Sequence, residues 1–236
     1  MNENHKILAF DTSSERGSVA LLEGAALSAE LRSNIAAGHS AHLLESVDFL
    51  LGRTGWKLKD LTLIASGIGP GSFTGIRIGV ATGLGLAQSL KIPFVGVSGL
   101  DVMAQRAASQ LEIKNRIAVI LDARRDQFYF AEYESKNGRI RRLRKPVLID
   151  ATDAENYLRD ADLITGDPGG LNKARERSHA RQSTITVDLF LAEGVGRLGL
   201  ERKRTWRSGD FLTAEPLYIR PPDAVKNRRE KRRDER

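Results

Sequence analysis

Three groups of residues have the types and spacing for chemistry. The first is Gly69-Pro70-Gly71-Ser72-Phe73-Thr74-Gly75, which opens into a helix. Ser72 or Thr74 can cap that helix. Its free N–H groups also favour an anion, which makes Gly69, Gly71, Ser72 and Thr74 candidate phosphate-loop residues. Position 72 is serine where a dinucleotide fingerprint has its third glycine, and the run lacks the Gly-Lys-Ser/Thr of a P-loop. The second group is the polar turn Asp11-Thr12-Ser13-Ser14-Glu15-Arg16-Gly17. Asp11, Thr12 and Ser13 can hold an oxyanion or a metal-bound water, or can bond their own backbone as a capped turn. Glu15 opposes an anion there and Arg16 compensates. The third group is His39, His42 and Glu45, at i, i+3 and i+6. This row mimics a metal stripe, but capping and interface hydrogen bonds suit it better. No metal site is expected, and the lack of cysteine excludes thiolate sites and disulfides.

The elements that position these groups alternate cleanly. Lys6 to Phe10, Gly17 to Leu22 and Leu27 to Arg32 read as strands, with Glu23-Gly24 as a hairpin turn. Ser40 to Arg53 reads as a helix, with Leu43, Leu44, Val47, Leu50 and Leu51 on one face. A buried strand at Leu61 to Ala65 leads into the glycine run. A helix over Gly75 to Leu90, a strand at Pro93 to Val97 and a helix over Leu100 to Leu111 follow. Then Ile117 to Asp122 echoes Ile7 to Asp11, an apolar strand ending in aspartate before a polar turn. Strands at Gln127 to Glu134 and Arg139 to Val147, a helix over Thr152 to Leu158, a strand at Leu163 to Thr165 and a last helix over Val187 to Lys203 complete a weak internal repeat. The halves are predicted as domains 1–105 and 106–221, the second smaller, with the last helix packing back on the first. Residues 222–236 read as a charged, disordered tail.

Gly75, Gly79, Gly83 and Ala87 recur every four residues in the second helix, with Gly85 beside them. Glycine inside a helix costs about 1 kcal/mol relative to alanine, so close approach of another backbone should offset it. The destination is open: within the protein, its own sheet or the Ser40–Arg53 helix, or outside it, a partner's helix. Ile76, Val80, Leu84 and Leu90 can face the core, which favours the partner.

The chain of 236 residues carries a formal charge of +7. Asp223 to Arg236 holds seven Lys/Arg and four Asp/Glu, a net of +3, which reads as a solvated terminus before it reads as an RNA contact. The Arg139–Lys145 cluster is a second surface for RNA, although half of a strand's side chains face solvent in any case. No apolar run approaches the roughly 20 residues of a membrane span, and the N-terminus has no signal-like apolar stretch; the expected location is the cytoplasm.

Two β-β-β-α-β-α halves are the arrangement of the actin-like ATPase superfamily, an α/β fold, here with the second half reduced. Within it, Gly69 to Gly79, Ile7 to Ser13, His39-Ser40, Pro93 to Ser98, Asp122-Ala123-Arg124-Arg125 and Pro216-Leu217-Tyr218-Ile219-Arg220-Pro221 closely resemble the landmarks of the bacterial TsaB (YeaZ) family. They span residues 7 to 221; the basic stretch 171–186 and the tail match least.

The resemblance implies a role in making threonylcarbamoyladenosine at position 37 of tRNA. It implies a non-catalytic subunit that pairs with a TsaD-like catalytic subunit, is joined by a TsaE-like ATPase, meets tRNA indirectly and forms a homodimer when alone. The family's partner surface is its first two helices. Carried over, it takes in His39, His42, Leu43, Ser46, Gly75, Ile76, Gly79, Gly83 and Ala87. No cofactor is required on this reading, although weak ATP or ADP binding is compatible with it. The catalytic relative carries a His-x-x-x-His metal pair where this chain has Gly99 and Met103. An independent ATP-dependent small-molecule kinase, or another ATPase of the same superfamily, using Asp11 or Asp122, is the alternative. A glycopeptidase-like hydrolase lacks a suitable nucleophile or metal pair.

Overall fold

The computed structural model describes residues 5–34, 42–111, 115–178, 182–203 and 215–219. His39, Ser40 and the tail from 222 onward lie outside the described residues.

Strands β1 (Lys6–Asp11), β2 (Arg16–Glu23), β3 (Ala26–Asn34), β4 (Leu63–Gly67) and β5 (Phe94–Val97) form one sheet in the order β3-β2-β1-β4-β5. Strands β6 (Asn115–Asp122), β7 (Gln127–Lys136), β8 (Arg139–Asp150), β9 (Leu163–Gly166) and β10 (Ser183–Ile185) form a second, in the order β10-β9-β6-β7-β8. Read from opposite ends, the two orders are the same. β1 pairs antiparallel with β2 and parallel with β4, as β6 does with β7 and β9. Ile7 faces Leu63, and Ile117 faces Leu163. The repeat seen in sequence is thus a repeat of pairing.

Helices α1 (Leu43–Thr54) and α2 (Phe73–Leu90) cover one face of the first sheet, where Leu43, Val47, Leu50, Ile76 and Val80 meet Leu8, Phe10, Leu21 and Phe94. Helices α4 (Ala154–Leu158) and α5 (Pro168–Ser178) cover the outer face of the second, through Leu158, Leu171 and Ala174 on Ile120, Phe128 and Phe130. Between the sheets lie α3 (Gly99–Ala108) and α6 (Ala192–Lys203), in one core that takes in Ile7, Ala9, Leu63, Ile117, Val119 and Tyr133. They cross over. α3, from the first half of the chain, packs on β6, β7 and β8, while α6 packs on β1, β2 and β4. Each fully buried Leu, Ile or Phe contributes about 1.5–3 kcal/mol, so this shared layer joins the halves strongly. A domain boundary at residue 105 would fall inside α3.

The second sheet has as many strands as the first; its reduction is in the helices, since α4 has 5 residues against 12 in α1. Most of α5 and all of β10 lie within the stretch 171–186, read from sequence only as basic and polar. The last helix begins at Ala192, five residues beyond the predicted start. Among the described residues no helix is long and apolar enough to cross a membrane.

Candidate functional site

The glycine run and the Asp11 turn lie against each other. Gly69 has a φ of +96°, a conformation that favours glycine. An added methyl at Gly67 would collide with the Asp11 carboxylate, and one at Gly71 with the Ser13 carbonyl. Ser72 N–H donates to Ser13 O at 2.7 Å, and Thr12 Oγ1 donates to Gly75 O at 2.7 Å. Ser72 Oγ caps α2 by accepting from Gly75 N–H at 3.2 Å. Asp11, fully buried, accepts from Ser13 N–H at 3.1 Å and Ser13 Oγ at 2.9 Å, an Asx-type turn. The structure therefore brings together Asp11, Thr12, Ser13, Gly69, Gly71, Ser72 and Thr74. Within this group the Ser13 and Thr12 hydroxyls and the Ser72 N–H are engaged by protein acceptors; Thr74 is exposed.

The small-residue stripe on α2 needs correction. Gly75, Ile76, Gly79, Gly83 and Ala87 face the protein's own sheet. A methyl at Gly79 would lie 2.6 Å from Thr12 Oγ1 and 3.1 Å from Ser66 Oγ, and one at Gly83 would enter the Phe94 ring. The close approach that offsets the glycines is intramolecular, made by β1, β4 and β5. The outward face of α2 instead carries Thr74, Arg77, Ala81, Gly85 and Gln88. Gly85 has nothing within 4 Å of an added methyl.

On α1, Leu43 is 2% exposed and belongs to the core, not to an outer face. Leu44, grouped in sequence on one face with Leu43, Val47, Leu50 and Leu51, is 58% exposed, and Phe49, which the sequence reading did not single out, is 57% exposed. A heptad-like count missed this because Leu43 and Leu44 are adjacent, so about 100° of helix separates them. Ser46 is half-buried; His42, at the N-cap, pairs with Glu45 Oε2 at 2.7 Å on the surface. Among the described residues no cluster of three or more His, Asp or Glu is arranged for a metal.

Residues 215–219 form a strap over the start of α2. Leu217 N–H donates to Ile68 O at 2.9 Å, and the Tyr218 ring lies 5.0 Å from that of Phe73. Arg77 sits 3.8 Å over Phe73 and donates Nε to Tyr218 Oη at 3.0 Å. The Pro216–Ile219 landmark was visible in sequence; its seat beside Gly69 was not.

In the second half, Asp122 accepts from Lys173 Nζ at 2.8 Å and from Arg124 N–H at 2.9 Å. Burial pushes its carboxyl up, but Lys173 and the Arg124 N–H outweigh this and hold it below the ordinary aspartate range. Arg124, Arg125 and Asp126 all have positive φ, at 59°, 51° and 55°.

Two sheets of matching order, each flanked by helices and sharing a crossed central pair, define an actin-like ATPase-type α/β fold. A family model described as TsaD, tRNA N6-adenosine threonylcarbamoyltransferase, matches residues 33–189. The Escherichia coli K12 protein named tRNA threonylcarbamoyladenosine biosynthesis protein TsaB is 39% identical over 134 residues, 56% of this chain and 57% of the relative. Its Bacillus subtilis 168 namesake is 35% identical over 170 residues, 71% of this chain and 73% of the relative. A solved structure from Pseudomonas aeruginosa, of an uncharacterized protein with similarity to "peptidase YEAZ", superposes with a TM-score of 0.71 at 30% identity, covering 92% of this chain and 100% of that one. The chain belongs to the TsaB (YeaZ) family, within the wider group that the TsaD model describes. Its match to the Escherichia coli relative spans little more than half of that protein's length.

Proposed function

We propose that this chain is a non-catalytic subunit required for forming N6-threonylcarbamoyladenosine in tRNA. In this role it docks a TsaD-like catalytic subunit on the outward face of α1 and α2, in an assembly with a TsaE-like ATPase. Membership of the TsaB family supports the pathway. The observation that carries the docking is the pair Leu44 and Phe49, large apolar side chains more than half exposed on one helix. Exposed apolar and aromatic side chains of this kind are what interface cores are built from. The same face serves a homodimer when the partner is absent, and tRNA is met through the complex, in the cytosol.

Several features support a subunit over an enzyme. Gly99 and Met103 stand where the catalytic relative has its histidine pair; Gly99 N–H donates to Gly69 O at 2.9 Å, and Met103 is 4% exposed in the core. The kinase alternative would need a free carboxylate in a cleft, whereas Asp11 is fully buried beneath the glycine run and Asp122 is ion-paired. Weak nucleotide binding stays compatible with the exposed Thr74 at the start of α2, but no step of the proposed role requires it.

The test is to combine the purified chain with its cognate TsaD-like and TsaE-like proteins and to measure complex formation and tRNA modification. The chain alone should be inactive and the mixture active. Modification by the chain alone, or full activity of the partners without it, would overturn the proposal.

A further inference from the structure

A cavity of about 380 Å³ opens where α3, β7, β8 and α6 meet, lined by none of the loop or docking residues above. Its floor is charged. Asp101, on α3, is 2% exposed and accepts hydrogen bonds from three other elements. Tyr133 Oη on β7 donates at 2.6 Å; Arg142 on β8 donates Nη2 to both carboxylate oxygens at 2.5 Å; Arg202 on α6 donates Nη2 at 2.5 Å. Arg202 Nη1 also donates to Gly96 O at 2.9 Å, which fixes its plane.

Two guanidiniums against one carboxylate leave an excess of one positive charge on the floor. Burial and the Asp101 charge push the Tyr133 phenol far above the ordinary tyrosine range, so it stays a neutral donor. The arginines are not shut away: their side chains are 37% and 39% exposed. At the rim Arg139 adds a positive charge and Glu201 a negative one, while Ile140 and Leu198 supply apolar wall. A structural clasp for Asp101 needs one guanidinium, because a single bidentate arginine already matches a carboxylate. The second, open to solvent in a cavity of ligand size, has the chemistry of anion recognition.

We propose that this cavity binds a small oxyanion with a short apolar body, its phosphoryl or carboxylate head on the Arg142–Arg202 pair and its body against Ile140 and Leu198. The ligand would bridge β8 and α6, since Arg142 and Ile140 belong to the one and Arg202 and Leu198 to the other. Occupancy would then stiffen the joint between the halves.

Inorganic phosphate and butyrate, titrated separately into the full chain by calorimetry at constant ionic strength, distinguish the two head groups. At least one should bind saturably. Arg202→Met should weaken that binding about tenfold or more, as loss of a charge-assisted donor implies. Asp101→Asn should tighten it, because the competing carboxylate is gone while both guanidiniums remain. Arg139→Gln, at the rim, should weaken it about two- to fivefold and leaves the floor intact, so it decides the matter if Arg202→Met does not fold. No saturable binding of either anion, or binding unmoved by both Asp101→Asn and Arg139→Gln, overturns the proposal.

Discussion

Replacing Gly83 and, separately, Gly85 with alanine separates the two faces of α2. The residues lie two positions apart in one helix, so relief of the glycine penalty, about 1 kcal/mol, is common to both variants. Nothing lies within 4 Å of an added methyl at Gly85, so Gly85→Ala should stabilise by about that amount. For a chain of 236 residues this is about 2–4 °C in Tm. At Gly83 the methyl would lie 3.0 Å from Phe94 Cδ2 and 3.1 Å from Cζ, with Cε2 closer still. Phe94 is 3% exposed in the core beneath α2, so its ring has little room to retreat. Overpacking of this kind costs about 1–3 kcal/mol, enough to cancel or exceed the propensity gain. The propensity term drops out of the difference between the variants, which should be about 1–3 kcal/mol with Gly83→Ala the less stable. Urea unfolding followed by circular dichroism, with unchanged m-values, measures it. If Gly83→Ala stabilises as much as Gly85→Ala, the stripe does not pack on the sheet, and an outward seam through Gly79 and Gly83 must be reinstated.

Other perturbations test the docking face, the buried carboxylate and the strap. Leu44→Asp and Phe49→Asp should each weaken pairing with the catalytic relative by at least about tenfold in sedimentation, while shifting the isolated chain's stability by no more than about 0.5 kcal/mol. At Asp101, burial pushes the carboxyl up, but hydrogen bonds from Arg142 and Tyr133 and the Arg202 charge outweigh it and hold the group below its ordinary value. A depressed folded-state value stabilises above the unfolded-state value of about 4 and is lost as pH falls through the folded one. Stability should therefore drop with acidification below about pH 4, and Asp101→Asn should flatten that limb while lowering stability at pH 7 by about 1.5–3 kcal/mol, read by denaturant unfolding. Tyr218→Ala removes the ring from Phe73 and the acceptor from Arg77; the Leu217 amide, now bonded to Ile68 O, should exchange with solvent faster while the β1 amides keep their protection.

How far the sequence could be read depended on whether a signal was local. Apolar strands ending in Asp11 and Asp122 are local patterns, and their partners across the sheets followed from repetition. The helix over 168–178 was hidden because its sequence, Pro168 to Ser178, is polar and held to the second sheet mainly through Leu171 and Ala174. The crossing of α3 and α6 is a long-range choice that no window of residues encodes. The same limit governed the site. Spacing every four residues established that Gly75, Gly79 and Gly83 share a face, but the direction of that face depended on Phe94, eleven positions beyond Gly83. Exposure of Leu44 and Phe49 likewise needed the sheet in place, because six apolar residues in α1 compete for a core contact that four of them fill.

The internal repeat supplies its own control for the docking proposal. Both halves place a helix after their third strand and before their fourth, α1 in one and α4 in the other. Both sheets have the same order, so covering the sheet imposes similar demands on each helix. α4 meets them with 5 residues, burying Ala154 and Leu158. α1 has 12, buries Leu43, Val47, Leu50 and Leu51, and still presents Leu44 and Phe49 to solvent. The extra length and the two exposed side chains go beyond what the fold requires of that position. Burying a large apolar side chain is worth about 1.5–3 kcal/mol, and each of these retains more than half of that surface for a partner. The excess sits on the half that also carries the glycine run and receives the strap, with α1 packed on β2 and β3 and α2 on β4 and β5 of the same sheet. The proposed partner surface would account for that asymmetry; covering the sheet alone would not.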